Sequence, residues 1–402
     1  IGAAMRGACR RLFCGAGLCL CAVRLLPLGP RPVFLGGARA RRSSSGGSMA
    51  PEPWRLSRHE LRTLLTTYEK ATEEDAYYLL RPSVEERRLL GDEVLKKRAD
   101  AVKLARDQNR KFIEALIEDL PDLMVPDSEV PPPRPFAEIR SLSEDPMTLP
   151  SNSYGSIASV FLHLLRDWST NCDHVGVSTY GPAIAELRAL LPEGGDVLLP
   201  GAGLGRLALE LAGCGYKVEA NDGSRLFMTA ADFLLNRCPQ EMELYPMAHV
   251  FSENWSHDQQ YLKIKVPSPM PSKVAGDRLP AVSLVPGDFV QTYKAGGVGH
   301  RQFDAIVTCF FVDTSADIAE LFGVLDGLLK EGGVWVNVGP LNWRKEARLK
   351  LNWEEMTAIW KGQGYEFVTE KRTDTDYHMP RGAKMYTESY NCALTAAIKR
   401  KK

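Results

Sequence analysis

The chain has 402 residues, of which 44% are hydrophobic, and a formal net charge of zero. That length is enough for one large hydrophobic core with an accessory domain. No basic patch with interleaved aromatic residues stands out, which argues against a nucleic-acid partner. No uninterrupted apolar run of roughly 18 residues occurs, so we expect no membrane span.

The zero net charge conceals an uneven distribution. Residues 1–51 contain eight Arg and no Asp, Glu or Lys, so the rest of the chain holds all 50 acidic residues. We treat residues 1–48 as a leader that resembles an organelle transit peptide, although the apolar run 12–22 also suits a signal peptide, and the segment could instead be untranslated sequence upstream of a start at Met49. If translation starts instead at Met49, we expect a cytoplasmic, or also nuclear, protein; a genuine leader would direct it to an organelle.

Cysteine spacing predicts neither a disulfide framework nor a metal site. Four of the nine cysteines fall in the leader, and the other five are isolated in sequence with no CxxC or His/Cys cluster. We therefore expect a protein of a reducing compartment that binds no metal.

Residues 52–150 are predicted to form a helical N-terminal domain and a linker. Apolar residues recur at helical spacing from Leu61 onwards, and Ser83 after a proline is typical of a helix start. A long amphipathic helix is predicted over 92–120, and the Pro- and acid-rich stretch 121–151 reads as the linker.

Residues 151–402 are predicted to form an α/β domain with a Rossmann-like, doubly wound sheet. Residues 252–287 have no clear period, and we expect this connection to cover the site. The predicted elements are helices at 157–168, 181–191, 226–236 and 318–329, strands at 303–308 and 334–338, and a closing antiparallel hairpin formed by 364–368 and 392–395.

The most informative segment is the glycine turn at 197–222. A short apolar run meets Gly201-x-Gly203-x-Gly205, an amphipathic segment follows, and a second apolar run ends at Asp222. Glycines let the backbone approach a ligand closely, and a carboxylate at the end of the second strand can accept both ribose hydroxyls of an adenosine. The pattern indicates a nucleotide-like cofactor, although such a turn can also be purely structural.

Two cofactors compete for this turn. A dinucleotide fold usually has GxGxxG, and here the third glycine of that register is replaced by Arg206. The GxGxG form with the acid favours S-adenosylmethionine and methyl transfer. An NAD(P)-dependent oxidoreductase and an inactive cofactor-binding protein stay open as alternatives.

Two further acids follow predicted strands. Asp288 could bind an adenine amino group with Phe289 stacked on the ring, or it could be a turn residue. Asp313 follows Cys309 in CFFVDT at the methyl-facing end of the fourth strand. Its carboxylate could bind a substrate cation or raise the basicity of an imidazole by accepting its N–H, or it could cap the helix near 317.

Several unusual blocks give the chain a family resemblance. They are VLLPGAGLGRLALEL, NRC at 236–238, GDF at 287–289, CFFVDT at 309–314 and VGPL at 338–341, extended by RDWS at 166–169 and DQNRKF at 107–112. Together they resemble the carnosine N-methyltransferase family over roughly 55–400. The resemblance implies a class I methyltransferase that moves a methyl group from S-adenosylmethionine to an imidazole nitrogen of carnosine, giving anserine.

The resemblance also implies site residues. Implied cofactor contacts are His163, Arg166, Gly201, Gly203, Gly205, Asp222, Asp288, Phe289 and Cys309. Implied substrate contacts are Asp313, Arg344, Tyr377 and Tyr390, with Asp313 and Tyr390 as the catalytic pair.

Three positions depart from the family pattern, which has Gln at 163, Glu at 222 and a His in the segment after VGPL, where this chain has Arg344. An Arg cannot relay a proton but can bind a carboxylate through paired hydrogen bonds. The expected partner is therefore an imidazole dipeptide, a related His-containing peptide or another small amine. A homodimer is compatible with the sequence.

Overall fold

The computed structural model describes residues 55–120, 156–297, 299–377 and 384–400, all of which belong to one compact unit. The predicted leader and almost all of the predicted linker lie outside these residues. Within the described ranges, no helix combines the length and apolar character that crossing a bilayer requires.

The N-terminal part is helical, as predicted. Ser57 and Ser83 each begin a helix with a capping box, in which the serine hydroxyl and a glutamate three residues later satisfy each other's backbone N–H groups. The long amphipathic helix predicted at 92–120 is confirmed. The helices are α1 (Arg58–Asp75), α2 (Tyr77–Leu80), α3 (Val84–Leu90) and α4 (Asp92–Asp119).

The remaining helices belong to the α/β part. The helix predicted at 181–191 is longer than expected and begins at Asp173. The helices are α5 (Ile157–Trp168), α6 (Asp173–Leu190), α7 (Arg206–Gly213), α8 (Arg225–Asn236), α9 (His257–Gln260), α10 (Pro271–Ala275), α11 (Phe289–Tyr293), α12 (Ile318–Leu328) and α13 (Trp353–Gly362).

Seven strands form a mostly parallel sheet in the order β5-β2-β1-β6-β7-β9-β8. Strands β5, β2, β1, β6 and β7 run parallel, and β9 pairs antiparallel with both β7 and β8. The strands are β1 (Asp196–Pro200), β2 (Lys217–Asp222), β3 (Met242–Leu244), β4 (Ile264–Val266), β5 (Val282–Pro286), β6 (Phe303–Cys309), β7 (Leu329–Gly339), β8 (Tyr365–Asp376) and β9 (Ser389–Lys399).

This sheet confirms the doubly wound, Rossmann-like fold class and its closing antiparallel hairpin. The strand order reverses between β1 and β6, and ligands of such sheets bind outside the carboxyl ends of the strands at this point. The glycine turn follows β1 and the CFFVDT segment follows β6, so the topology brings the two motifs to the same edge.

The stretch 252–287 is not one structureless connection. It holds the short elements α9, β4 and α10 and ends in β5, which pairs with β2 as the edge strand of the main sheet. Elements of three to five residues are too short to show a hydrophobic period, which is why the sequence pattern missed them.

One hydrophobic core joins the N-terminal helices to the α/β part. Leu61 and Phe112 are fully buried with Phe161 and Phe227 in the same cluster. The rings of Phe112 and Phe161 lie 6.4 Å apart in an edge-on arrangement. The helical region therefore covers one flank of the sheet domain rather than extending away from it.

Candidate functional site

The glycine turn after β1 takes backbone conformations that disfavour side chains. Gly201, Gly203 and Gly205 have φ values of 68°, 56° and 80°. A Cβ atom on Gly201 would lie 2.6 Å from Cδ2 of Phe311. The glycines therefore let the chain turn while an aromatic ring from the end of β6 packs directly on the turn.

Asp222 ends β2 and ties that strand to the glycine turn. One carboxylate oxygen accepts the Gly203 N–H at 2.9 Å, and the other accepts the Ser224 N–H at 2.8 Å. The side chain is only 3% exposed. A carboxylate can accept about four hydrogen bonds, which makes Asp222 a candidate acceptor for a ribose diol.

Asp288 and Phe289 follow β5, beside Asp222. The Gly287 N–H donates to the Asp222 carbonyl at 3.0 Å, which fixes the two strand ends together. Asp288 is exposed and caps α11 by accepting the Gln291 N–H at 2.9 Å. Phe289 is buried, and its ring lies 5.4 Å from that of Phe311.

Helix α5 presents a buried charged cluster to the sheet edge. Arg166 donates from Nε and Nη2 to the two carboxylate oxygens of Asp167 at 2.6 and 2.9 Å. The Tyr180 hydroxyl of α6 donates to the same carboxylate at 2.6 Å. Burial opposes ionisation of Asp167, but the Arg166 guanidinium outweighs it and holds the pKa of that carboxyl below its usual range.

His163 lies one helical turn before Arg166 on α5. It is 7% exposed, its Nδ1 lies 2.8 Å from the Ser159 carbonyl, and its ring contacts Phe227 edge-on at 4.8 Å. Its proximity also helps to lower the pKa of Asp167. The side chain is thus held beside the Arg166–Asp167 pair.

Arg166, Gly201, Cys309 and Tyr377 line one cavity. The guanidinium carbon of Arg166 lies 5.1 Å from the centre of the Tyr377 ring. Burial raises the pKa of the Cys309 thiol to about 12, so it is neutral at physiological pH. The cavity joins three candidate cofactor residues to one candidate substrate residue.

Phe310 lines the same cavity in an unusual backbone conformation. Its φ is 50°, in the left-handed region that bulky residues rarely adopt and that concentrates at functional sites. Its ring stacks on Tyr377 at 4.8 Å and meets Tyr390 edge-on at 5.6 Å. The three rings form an aromatic wall.

The sequence left open whether Asp313 caps the helix near 317, and the structure shows that it does not. Asp317 caps α12 instead, while Asp313 is 6% exposed and accepts the Asn342 N–H at 2.8 Å. Burial raises the pKa of Asp313, although backbone N–H groups and Arg344 pull it down. A buried carboxylate with a raised pKa is a good hydrogen-bond acceptor for an N–H group.

Arg344 is exposed, and its charge reaches Asp313 without a direct ion pair between the two in the described part of the chain. The Tyr390 hydroxyl donates to Glu388 at 3.1 Å, and burial together with that carboxylate raises the pKa of Tyr390 to about 12. Burial also raises the pKa of Tyr377. Both tyrosines therefore keep their protons near neutral pH.

Sequence reasoning missed the roles of Asp167, Tyr180 and Phe310. Asp167 belongs to the RDWS block, but its partner Tyr180 is thirteen residues away on another helix. The left-handed conformation of Phe310 carries no signal in sequence. Among the described residues, no group of three or more His, Cys, Asp or Glu side chains could hold a metal ion.

Comparison with protein families gives one match across most of the α/β part. A family model described as carnosine N-methyltransferase matches residues 145–401. Carnosine N-methyltransferase of Schizosaccharomyces pombe is 30% identical over 243 residues, covering 55% of this chain and 65% of the relative. That of Mus musculus is 30% identical over 252 residues, covering 59% and 61%.

These matches span less than two thirds of the relatives' own lengths. Among solved structures, magnesium protoporphyrin IX methyltransferase from Synechocystis matches at 12% identity and a TM-score of 0.38, covering 61% of this chain and 96% of that one. TehB from Haemophilus influenzae matches at 13% identity and a TM-score of 0.36, covering 54% and 61%.

Proposed function

We propose, from the premise that the chain belongs to the carnosine N-methyltransferase family, that it methylates an imidazole nitrogen of carnosine or of a related His-containing small peptide. The observation that carries this proposal is the shared cavity, in which Arg166, Gly201 and Cys309 meet Tyr377. A methyl transfer by direct displacement needs the cofactor and the substrate side by side in this way.

The residues present fit S-adenosylmethionine. Asp222 would accept the ribose hydroxyls, Asp288 and Phe289 would hold the adenine, and the Arg166 guanidinium, which lines the cavity while paired with Asp167, would attract a carboxylate. When bound, the cofactor supplies an electrophilic methyl group. No metal or covalent intermediate is needed for its transfer.

Asp313 would orient the substrate. Its carboxylate would accept the imidazole N–H, which leaves the other ring nitrogen unprotonated for attack. Because burial raises the pKa of Asp313, the carboxylate would also take that proton more readily once the ring becomes positively charged. Tyr377 and Tyr390 would exclude water and shape the aromatic wall around the ring.

Turnover tests this proposal. The full chain is incubated with S-adenosylmethionine and carnosine, and a product heavier by one methyl group is sought by mass spectrometry. Incubation with NADPH in place of S-adenosylmethionine tests the oxidoreductase alternative. Thermal stabilisation by S-adenosylhomocysteine without turnover of any imidazole peptide or small amine would favour the inactive cofactor-binding alternative.

Arg344 bears on the choice of substrate. Its exposed guanidinium lies close enough for its charge to act on Asp313, so we infer a preference for substrates with a free carboxylate. Amidating the dipeptide carboxylate should raise KM, and Arg344→His should narrow the difference. Equal KM values for acid and amide in both proteins would remove Arg344 from the site.

The exposed apolar residues of α2 and α3 support a homodimer. Three apolar side chains of these two consecutive helices are largely exposed: Tyr78 by 72%, Val84 by 85% and Leu89 by 83%. A second copy of the chain would cover them. Light scattering after gel filtration should give twice the chain mass for the parent and the monomer mass for Leu89→Glu; a monomeric parent would exclude the dimer.

The cellular compartment of the protein is also a proposal. We expect a cytoplasmic, or also nuclear, protein when synthesis starts at Met49. Imaging tagged proteins with and without residues 1–48 tests this, since an organelle pattern seen only with those residues would identify a targeting leader.

A further inference from the structure

A second cleft, of about 490 Å³, lies between α4 and the segment around α9. Val94, Lys97 and Arg98 of α4 form one wall. Phe251 and Trp255, with further residues up to Gln260, line the other wall together with Met385. None of the described residues lines both this cleft and the cavity at the sheet edge. Its volume suits one small organic molecule.

Two adjacent cations on the α4 wall form no ion pair with the described residues. Lys97 is exposed and Arg98 is half-buried, and within the described ranges neither forms an ion pair or a hydrogen bond with a carboxylate. Glu253, the one acid in the lining, is attracted instead to Lys384. A partly buried guanidinium without an anion costs free energy, so this wall favours an anionic ligand.

The opposite wall presents apolar side chains that the backbone holds in place. Trp255 and Met385 are 64% and 56% exposed. The Trp255 indole N–H donates to the Lys384 carbonyl at 2.9 Å, and the Met385 N–H donates to the Glu253 carbonyl at 2.9 Å. An exposed indole fixed by its own N–H group offers a preformed face for a flat ring.

The Lys384 side chain adds two more hydrogen bonds between residues 252–255 and residues 384–385. Its ammonium donates to the Ser252 carbonyl at 2.8 Å and to Oδ1 of Asn254 at 2.6 Å. Because the Lys384 ammonium is engaged in these bonds, Lys97 and Arg98 are the cations among the described lining residues that can pair with an anionic ligand. The apolar wall is therefore rigid, and the charge lies on the other side of the cleft.

Unpaired polar atoms in the lining add to the case for a ligand. Gln260 is 2% exposed, and its Nε2 has no hydrogen-bond partner among the described residues. Nε2 of His257 is likewise buried without a partner there. Buried amide donors are normally satisfied, so an acceptor-rich molecule would complete this wall.

We propose that this cleft binds a small organic anion in which a carboxylate or a phosphate is joined to a flat apolar ring. The anionic group pairs with Lys97 and Arg98, and the ring stacks on Trp255. The proposal does not depend on the methyl-transfer reaction.

Calorimetry on the full chain tests the proposal with three probes. Indole-3-acetate carries the charge, and indole-3-acetamide is its neutral isostere. We expect the acid to bind at least about tenfold more tightly than the amide, because a charge-assisted hydrogen bond is lost. Phenyl phosphate distinguishes the two sources of charge: whichever anion binds more tightly identifies the preferred group.

Variants on both walls of the cleft test whether indole-3-acetate binds there. Lys97→Gln and Arg98→Gln should each weaken indole-3-acetate by about tenfold, and Trp255→Ala should do the same by removing the ring contact. Lys103→Gln on the same helix, outside the lining, is the matched control and should bind as the parent does. Because Lys97 is exposed, its variant keeps the fold, which a thermal melt checks.

Three results would overturn the proposal. They are equal affinity for acid and amide, no binding heat with either anion at millimolar concentration, and parent-like affinity in both Lys97→Gln and Arg98→Gln.

Discussion

At the tip of β2, one carboxylate serves both the fold and the candidate cofactor site. Asp222 accepts backbone N–H groups from Gly203 and Ser224, which holds the glycine turn against the start of α8. A ribose bound there would donate its hydroxyl groups to a carboxylate whose orientation these two N–H groups already fix.

Asp222→Ala should weaken binding of S-adenosylhomocysteine by at least about tenfold, because hydrogen bonds to a charged acceptor contribute about 1.5–3 kcal/mol each. Calorimetry measures this loss. The control is Asp277→Ala, which removes an exposed carboxylate elsewhere. Unchanged affinity in the Asp222 variant would exclude this residue from the cofactor site.

Asp313→Asn should keep the fold and the cofactor affinity but lower kcat by about a hundredfold or more, the usual range for a lost general base. Since burial raises the pKa of Asp313, the parent should lose activity as the pH falls through a value above about 3.9, the ordinary aspartate pKa. A pH–rate profile measures both effects.

Asp317→Asn is the control for that experiment, because Asp317 caps α12 and should affect stability alone. If Asp313→Asn kept at least half the parent activity, the proposed orienting role of Asp313 would be wrong.

Tyr180→Phe should raise KM for S-adenosylmethionine by roughly tenfold or more with little change in kcat, because a charge-assisted hydrogen bond that holds Asp167 beside Arg166 is lost. Initial-rate kinetics with varied cofactor separates the two parameters. Tyr78→Phe, at an exposed position, should leave both unchanged. A fall in kcat at constant KM would contradict this positioning role.

Between elements, Asn109 explains why DQNRKF stands out in the helical region. Its side chain is fully buried on α4 and pairs with both backbone groups of Tyr245, accepting the N–H at 2.8 Å and donating to the carbonyl at 2.9 Å. It also donates to the Tyr68 hydroxyl at 3.1 Å. The side chain thus acts as a strand partner for the segment after β3.

Asn109→Ala should lower the free energy of unfolding by about 2–4 kcal/mol, because it leaves the two half-buried backbone groups of Tyr245 without their partner and opens a gap in the core. Urea denaturation measures the change. Lys111→Ala, at an exposed position on the same helix, should stay within about 0.5 kcal/mol of the parent. A similar small loss for Asn109→Ala would show that water satisfies these groups.

Periodicity predicted the elements whose packing is local. The helix at 157–168 and the strand at 303–308 were predicted within a residue, since their apolar positions follow one period. Helix α6 was predicted from 181, but the observed helix also includes residues 173–180, among them Gly176, which has a low helix propensity. It starts at Asp173 because burial of Val175, Thr179, Ala183 and Leu187, one turn apart, outweighs that propensity.

In the candidate site too, features that are local in sequence could be predicted, whereas contacts between distant elements could not. The glycine turn and Asp222 lie within 22 residues and could be predicted from spacing and residue type. The contacts of Asp167 with Tyr180 and of Asp313 with the Asn342 N–H join different elements, so only the folded chain reveals them.

Across the whole molecule, stability should depend on pH through His249. Its two ring nitrogens have no partner among the described residues, and burial lowers its pKa from 6.5 to about 4. Between these values the unfolded chain binds the proton more readily than the folded chain, so stability falls as the pH falls through this window. From pH 7 to pH 5 the loss is about 2 kcal/mol.

His249→Phe keeps an edge-on ring against Tyr68 and removes the titrating group. Its free energy of unfolding should therefore drop by about 2 kcal/mol less than that of the parent between pH 7 and pH 5. Urea denaturation at the two pH values measures this, with His59→Gln at an exposed position as the control. Parallel losses in parent and His249→Phe would contradict the assignment.

The core shared by α1, α4, α5 and α8 sets a practical limit on how the chain can be shortened. Similarity to the family model begins at residue 145, yet Leu61 and Phe112 complete the cluster around Phe161 and Phe227. A recombinant fragment cut at the similarity boundary would expose those rings, and we expect it to accumulate as insoluble aggregate. Exchange of modules between relatives would therefore have to move the helical region together with the sheet it covers.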